Sequence, residues 1–229
     1  MGEYGQFCPV ALGAEVFAER WTPLIVRELL NGSHRFSELR KGIPRISRNL
    51  LVQRLAALEQ AGIVERHPLA SGRGFDYRLT RAGEELRPVV MALGAWGYKW
   101  AALELREDNL DPGLLMWFLR RRVNVDRLPP ERVIARFDLH ATGRRSAWLQ
   151  EAQSFWLVLE RPHVELCLTD PGFEVDLIVR AELAALTRVY LGQVSLGDAL
   201  HSGSIQLAGP RALRSGIRDW LGISQFARA

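Results

Sequence analysis

Four polar side chains within seven positions, Ser47, Arg48, Asn49 and Gln53, belong to a predicted helix whose other side carries Leu51, Leu55 and Leu58. Hydroxyl, guanidinium and carboxamide groups in the first two turns of such a helix are the groups that hydrogen-bond to base edges in the major groove of duplex DNA. Many amphipathic helices carry a polar face of this kind, so the helix taken alone equally fits a solvated surface. Arg35, Lys41, Arg45 and Arg73 supply cations that could meet phosphates. Between Ser33 and Arg81 ten Lys or Arg stand against four Asp or Glu, whereas the whole chain has a formal charge of +4. A basic segment of this sort neutralises phosphate and releases counterions, or simply faces water. Arg54 lies beside the leucine stripe and has two readings, a DNA contact or a brace to a carboxylate such as Glu38 or Glu59.

Other chemistry is sparse. Cys8 precedes a helix that can begin at Pro9, where unpaired N–H groups and the helix dipole favour a thiolate and hence redox sensing. The alternative is a small, buried apolar residue. His34, His67, His140, His163 and His201 are scattered, and no metal-binding spacing, phosphate loop or nucleophile motif occurs. The sequence therefore predicts no enzyme, no metal and no cofactor.

The elements that must position the basic cluster follow from periodicity. Apolar residues recur at helical spacing over Val10 to Ala18 and Thr22 to Leu30, with Pro23 in the second helix's first turn and Asn31-Gly32 as its stop. A short helix from Phe36 breaks at Gly42-Ile43-Pro44, and Ser47 caps the helix that runs to about Ala61. Ile63 to His67 and Phe75 to Leu79 read as two strands of a small hairpin tipped by Arg73. The order helix, helix, helix, hairpin is more specific than any one piece.

These residues resemble the HxlR-type winged-helix regulators from about Phe7 to Gly97. The resemblance rests on Cys8-Pro9-Val10, Arg20-Trp21-Thr22, Gly32 with Arg35-Phe36-Ser37-Glu38-Leu39, Ile46-Ser47, Arg54-Leu55 and Leu58-Glu59. It continues through Gly62-Ile63-Val64, Tyr77-Arg78-Leu79-Thr80, Gly83 and Trp96-Gly97. It implies a homodimer on a roughly two-fold symmetric duplex operator, with repression as the family default. Leu86, Val89, Leu93, Trp96, Trp100 and Leu103 alternate spacings of three and four, as in a helix-pairing seam. Packing within one chain is the rival explanation, and the resemblance favours dimerisation through this helix and the N-terminal one.

Asn109 to Gly113 reads as a joint, which divides the chain into an expected mainly α winged helix-turn-helix domain, 1–108, and a second domain, 109–229. In the second, Leu114 to Arg122 reads as a helix. Period-two alternation over Val133 to His140, Phe155 to Glu160, Val164 to Thr169 and Phe173 to Val179 predicts an antiparallel sheet with one buried face. Helices are predicted over Ala181 to Leu191, Leu196 to His201 and Arg211 to Leu221, with a last strand in Gly203 to Gly209. The class is α+β. From Arg132 to Leu221 the order of elements and a few glycines resemble the sterol carrier protein domain, which implies an apolar cavity between sheet and helices. Trp117, Phe118, Phe137, Trp148, Trp156, Leu157 and Leu191 are candidates for its lining, or else fill a solid core.

With 48% apolar and 24% charged residues, no bilayer-length apolar run, no secretory-type start and two cysteines, the sequence predicts a globular cytoplasmic protein that engages no membrane. The function expected is a DNA-binding transcription regulator whose second domain binds an apolar effector or aids dimerisation. The alternative is a lipid or sterol carrier whose winged helix serves protein contact.

Overall fold

A computed structural model describes residues 4–70, 72–101, 105, 109–140 and 152–228. The chain forms two compact units, Met1–Trp100 and Ala101–Ala229.

The first unit opens with α1 (Pro9–Phe17), which buries none of its residues completely. Next come α2 (Thr22–Leu30), α3 (Phe36–Gly42) and α4 (Arg48–Gln60). The Glu38 carboxylate opens α3 by accepting the backbone N–H groups of His34 and Arg35 at 2.9 and 3.0 Å. Ser47 caps α4 as its position predicts, accepting the Leu50 N–H at 3.2 Å. At the other end Gly62 takes a positive φ of 69°, and Ile63 N–H returns to Leu58 O at 2.9 Å. That left-handed residue turns the chain directly into the hairpin of β1 (Val64–Pro68) and β2 (Phe75–Leu79). The helical stretch that carries the seam residues is in two pieces, α5 (Arg81–Glu84) and α6 (Arg87–Trp100). Pro88 accounts for the break, because a residue without an N–H fits only the first turn of a helix.

One core holds these pieces together. Ile25, Val26 and Leu29 of α2, Leu39, Ile43 and Ile46, the α4 stripe Leu51, Leu55 and Leu58, Val64 and Val90 form a single buried cluster. Burial of each large aliphatic side chain is worth about 1.5–3 kcal/mol before chain entropy is charged against it. The result is a winged helix-turn-helix arrangement, with α4 as its third core helix and β1–β2 as its wing.

The second unit contains α7 (Pro112–Arg122), β3 (Val133–His140), β4 (Gln153–Glu160), β5 (His163–Cys167) and β6 (Leu177–Glu182), then α8 (Leu183–Tyr190), α9 (Leu196–His201), β7 (Ile205–Ala208) and α10 (Arg211–Trp220). Strand order is β5-β4-β3-β6-β7. Val133, Ala135, Phe137 and Leu139 of β3, with Leu157 and Leu159 of β4 and Leu177 and Val179 of β6, share a core with Met116, Trp117, Leu119, Leu186, Ile217 and Trp220 from the helices.

Three expectations are corrected here. The sheet is mixed rather than antiparallel: β3 and β6 run parallel, from Ala135↔Leu177 to His140↔Glu182. Period-two alternation fixes which face a residue occupies and is blind to strand direction, so this crossover left no mark in the pattern. The alternation through Phe173 and Val175 does not extend the strand, which begins only at Leu177. The helix foreseen from Ala181 starts at Leu183, because Ala181 and Glu182 complete β6. Leu103 and Trp148 lie outside the described residues.

Candidate nucleic-acid interface

The site begins with an amphipathic split on α4. Leu51, Leu55 and Leu58 are buried in the core, while Arg48, Asn49 and Gln53 are exposed on the far side. The Arg48 guanidinium lies 5.7 Å from the centre of the Phe36 ring, so α3 gives its base a resting surface. Ser47 is exposed; its hydroxyl oxygen accepts the capping bond, and its O–H proton stays available to donate.

Val52 stands among these polar groups and is 51% exposed. Sequence reasoning passed over it because an isolated valine on a helix reads as core. The available signal was its position, three residues after Asn49 and off the leucine stripe. An exposed methyl pair on that face is suited to contact with a thymine methyl.

Arg54 is on the inward flank of α4. It pairs with Glu19, Nη2 to Oε2 2.8 Å, rather than with Glu38 or Glu59. Glu38 is committed to the α3 cap and Glu59 to Arg66 at 3.1 Å. Arg54 therefore joins the link between α1 and α2 to α4, and its charge is engaged away from the exposed stripe.

The phosphate candidates surround α4 at three places. Lys41 and Arg40 are exposed in the last turn of α3, and Arg45 is exposed on the segment between α3 and α4. Arg73 is exposed at the wing tip between Gly72 and Gly74, both at positive φ, where the turn requires glycine. Arg35 sits where the start of α3 is zipped to the wing: His34 O accepts the Tyr77 N–H at 2.8 Å, and Arg35 bridges to Asp76. The Asp76 carboxyl is held below its usual range, first by the hydrogen bond from Arg78 at 2.6 Å and further by the charges of Arg78, His34 and Arg35. Arg35 Nε is 3.9 Å from Asp76, so this cation is partly offset.

A buried polar knot fixes the approach to α4. Glu28 is fully buried; its carboxylate accepts from Arg27 Nη2 at 3.0 Å and from the Ser33 hydroxyl at 3.1 Å. Arg27 Nη2 also donates to Gly42 O at 2.9 Å, tying α2 to the end of α3. Sequence reasoning missed Glu28, whose signal was a carboxylate three residues after Ile25 on an apolar helix face.

Cys8 is the N-cap residue of α1, half-buried, and its thiol lies below the ordinary range because the backbone N–H groups of Ala11 and Val10 favour the thiolate. The apolar residues on either side of it in the chain are open to solvent, Phe7 98% exposed and Val10 78%, and on α6 Trp96 is 59% and Trp100 64% exposed. Val89 and Leu93 are exposed with them, whereas Leu86 packs against the core.

The proposed lining residues of the second unit are not brought around one hollow. Trp117, Phe137 and Leu157 are buried in its core, and the Trp117 ring carries the Arg120 and Arg121 guanidiniums at 4.4 and 4.7 Å. Phe118 stacks on Tyr190, centroids 6.1 Å apart, and Leu191 is half-buried after α8. Trp156 neighbours Leu157 on β4 and so faces the other side of the sheet, opposite Arg136 in the register. No helix among the described residues is long and apolar enough to cross a membrane, and no described group of His, Cys, Asp and Glu could hold a metal ion.

The first unit is similar in sequence to known regulators. The HxlR-like helix-turn-helix family profile matches residues 16–104. The HTH-type transcriptional regulator YvaP of Bacillus subtilis (strain 168) is 35% identical over 97 residues, which span 42% of this chain and 90% of YvaP. YtfH of Escherichia coli (strain K12), also an HTH-type transcriptional regulator, is 37% identical over 95 residues, 41% of this chain and 75% of YtfH. Among solved structures, the redox regulator HypR in its oxidized form aligns at 31% identity with a TM-score of 0.38, covering 40% of this chain and 96% of HypR.

Proposed function

Because the chain belongs to the HxlR-like helix-turn-helix family, we propose that it acts as a homodimeric, duplex-DNA-binding transcription repressor whose α4 reads the major groove. The observation that carries this reading is the division of α4, with three leucines anchored in the core and Arg48, Asn49, Val52 and Gln53 presented outward. Ser47, Arg48, Asn49, Val52 and Gln53 are assigned to the groove. Lys41, Arg45, Arg73 and the partly offset Arg35 are assigned to phosphates. Arg54 is assigned to the fold.

The exposed apolar residues of α1 and α6 are assigned to the dimer seam, where burying Trp96 and Trp100 would remove a contiguous apolar patch from water. Two copies of α4 would then read half-sites about one helical turn apart. The second unit is read as a sterol carrier protein-like fold serving as an effector module. Its aromatic residues are packed inside or divided between the two faces of the sheet, which favours either a dimerisation role or a ligand site other than the anticipated apolar cavity. Cys8, with its lowered thiol, is assigned a secondary role as an oxidant-sensitive group at the seam.

The test is selection of preferred duplexes from a random DNA pool by the full chain and by an Arg48→Ala, Asn49→Ala double variant. The wild type is expected to enrich a two-fold symmetric sequence, and the folded variant to enrich none. A variant that selects the same sequence overturns the groove assignment. Failure of the wild type to bind DNA at all favours the carrier alternative.

A further inference from the structure

The sheet of the second unit has a second face, turned away from its helices, and that face is hollow. A concavity of about 550 Å³ is lined by Arg136, Asp138, His140, Arg180, Glu182 and Gln206 together with Ala152, Ser154, Gly203 and Ser204. The register dictates this grouping. Asp138 lies opposite Ser154 on one side and Arg180 on the other, Arg180 lies opposite Gln206, and His140 lies opposite Glu182. Neighbouring strands are about 4.8 Å apart and same-face residues of one strand about 6.6 Å apart, so these side chains share one small field.

Opposite charges on a sheet face ordinarily close into pairs with their cross-strand neighbours. Here half of the set closes on itself. Asp138 receives Arg136 at 3.0 Å and the Ser154 hydroxyl at 2.7 Å, which commits its carboxylate. Arg180 is thereby left without its cross-strand carboxylate, and among the described residues Arg180, Glu182 and His140 form no ion pair or side-chain hydrogen bond. A guanidinium and a carboxylate two residues apart on β6, beside an imidazole, remain open to an outside partner, and the neighbouring Gln206 amide, whose Nε2 donates to Gly203 O at 3.4 Å, keeps its carbonyl oxygen toward the same hollow.

We infer that this hollow binds a small zwitterion of the amino-acid class, its carboxylate on Arg180 and its ammonium on Glu182, with His140 and Gln206 placed to meet a polar side chain. Arg180 offers the planar fork that suits a carboxylate. A ligand bearing one charge alone leaves the opposite protein charge uncompensated, and this provides the selectivity. The site deepens the effector role given to the second unit. Its test is read without DNA, so either reading can fail while the other stands.

The experiment is thermal shift followed by titration calorimetry of the full chain with each of the twenty proteinogenic L-amino acids at millimolar concentration, and with propionate and propylamine as the two half-ligands. Arg180→Ala and Glu182→Gln are compared with Arg218→Ala on α10, and circular dichroism checks folding; Gln206→Ala serves if either site variant is unfolded. One or more amino acids are expected to bind, with each folded site variant weaker by about tenfold or more and Arg218→Ala unchanged. Three results overturn the inference: no amino acid binds, the site variants bind as well as the wild type, or a half-ligand binds as tightly as the zwitterion.

Discussion

Arg54 Nη2 lies 2.8 Å from Glu19 Oε2, so the inward flank of the proposed recognition helix is pinned to the turn between α1 and α2. Because α1 also carries the exposed apolar residues assigned to the dimer seam, this pair connects the two surfaces on which the account depends. Both side chains are partly buried, and a coupling of about 1 kcal/mol is expected from a double-mutant cycle of Arg54→Ala and Glu19→Ala read by urea unfolding. Additive single costs would show that the pair does no more than coexist.

Gly42 is the closest approach of α3 to the buried Glu28 carboxylate, and a Cβ there would run into that carboxylate. Gly42→Ala is expected to destabilise the first unit by about 1–3 kcal/mol. The same change made on a Glu28→Ala background should cost less, because the obstacle is gone. Equal costs on both backgrounds would place the strain elsewhere.

The seam is tested by charge. Trp96→Glu puts a carboxylate in the middle of the exposed apolar face of α6 and touches no part of the buried core. Sedimentation should give a dimer mass for the wild type and a monomer mass for the variant, with unchanged circular dichroism. A monomeric wild type would remove the seam from the account.

The Cys8 thiol is lowered by the N–H groups of Ala11 and Val10. A lowered thiol gives up its proton sooner as pH rises, so the thiolate, which is the reactive form, is present at a lower pH than in an unfolded chain. Alkylation of Cys8 by iodoacetamide in a Cys167→Ser background should therefore reach half its maximal rate at a lower pH in the folded protein than in urea. Coincident profiles would mean that the helix terminus leaves the thiol unperturbed.

Much of the first unit was legible because local signals agreed with one another. Ser47 as a cap, Pro23 in a first turn, Asn31-Gly32 as a helix stop and the Phe75–Leu79 strand each depend on neighbours in sequence. What escaped depends on partners far along the chain. Arg54 finds Glu19 at a distance of thirty-five positions, and Glu28 meets Gly42 at the end of the next helix; spacing cannot name such partners. In the second unit alternation placed β3 and β4 but not the parallel pairing of β3 with β6; that Trp156 and Leu157 face opposite ways was legible in the same alternation and was overlooked when both were set around one cavity. The exposed Val52 went unnoticed because hydrophobicity was read as burial.

The most direct test is titration of the purified chain against duplex DNA from upstream of its own coding sequence, by fluorescence anisotropy across a salt series, with unrelated duplex as competitor. The account predicts affinity that falls steeply as salt rises and a preference for the upstream duplex of about a thousandfold or more. Binding that is indifferent to salt, or equal for both duplexes, would contradict it.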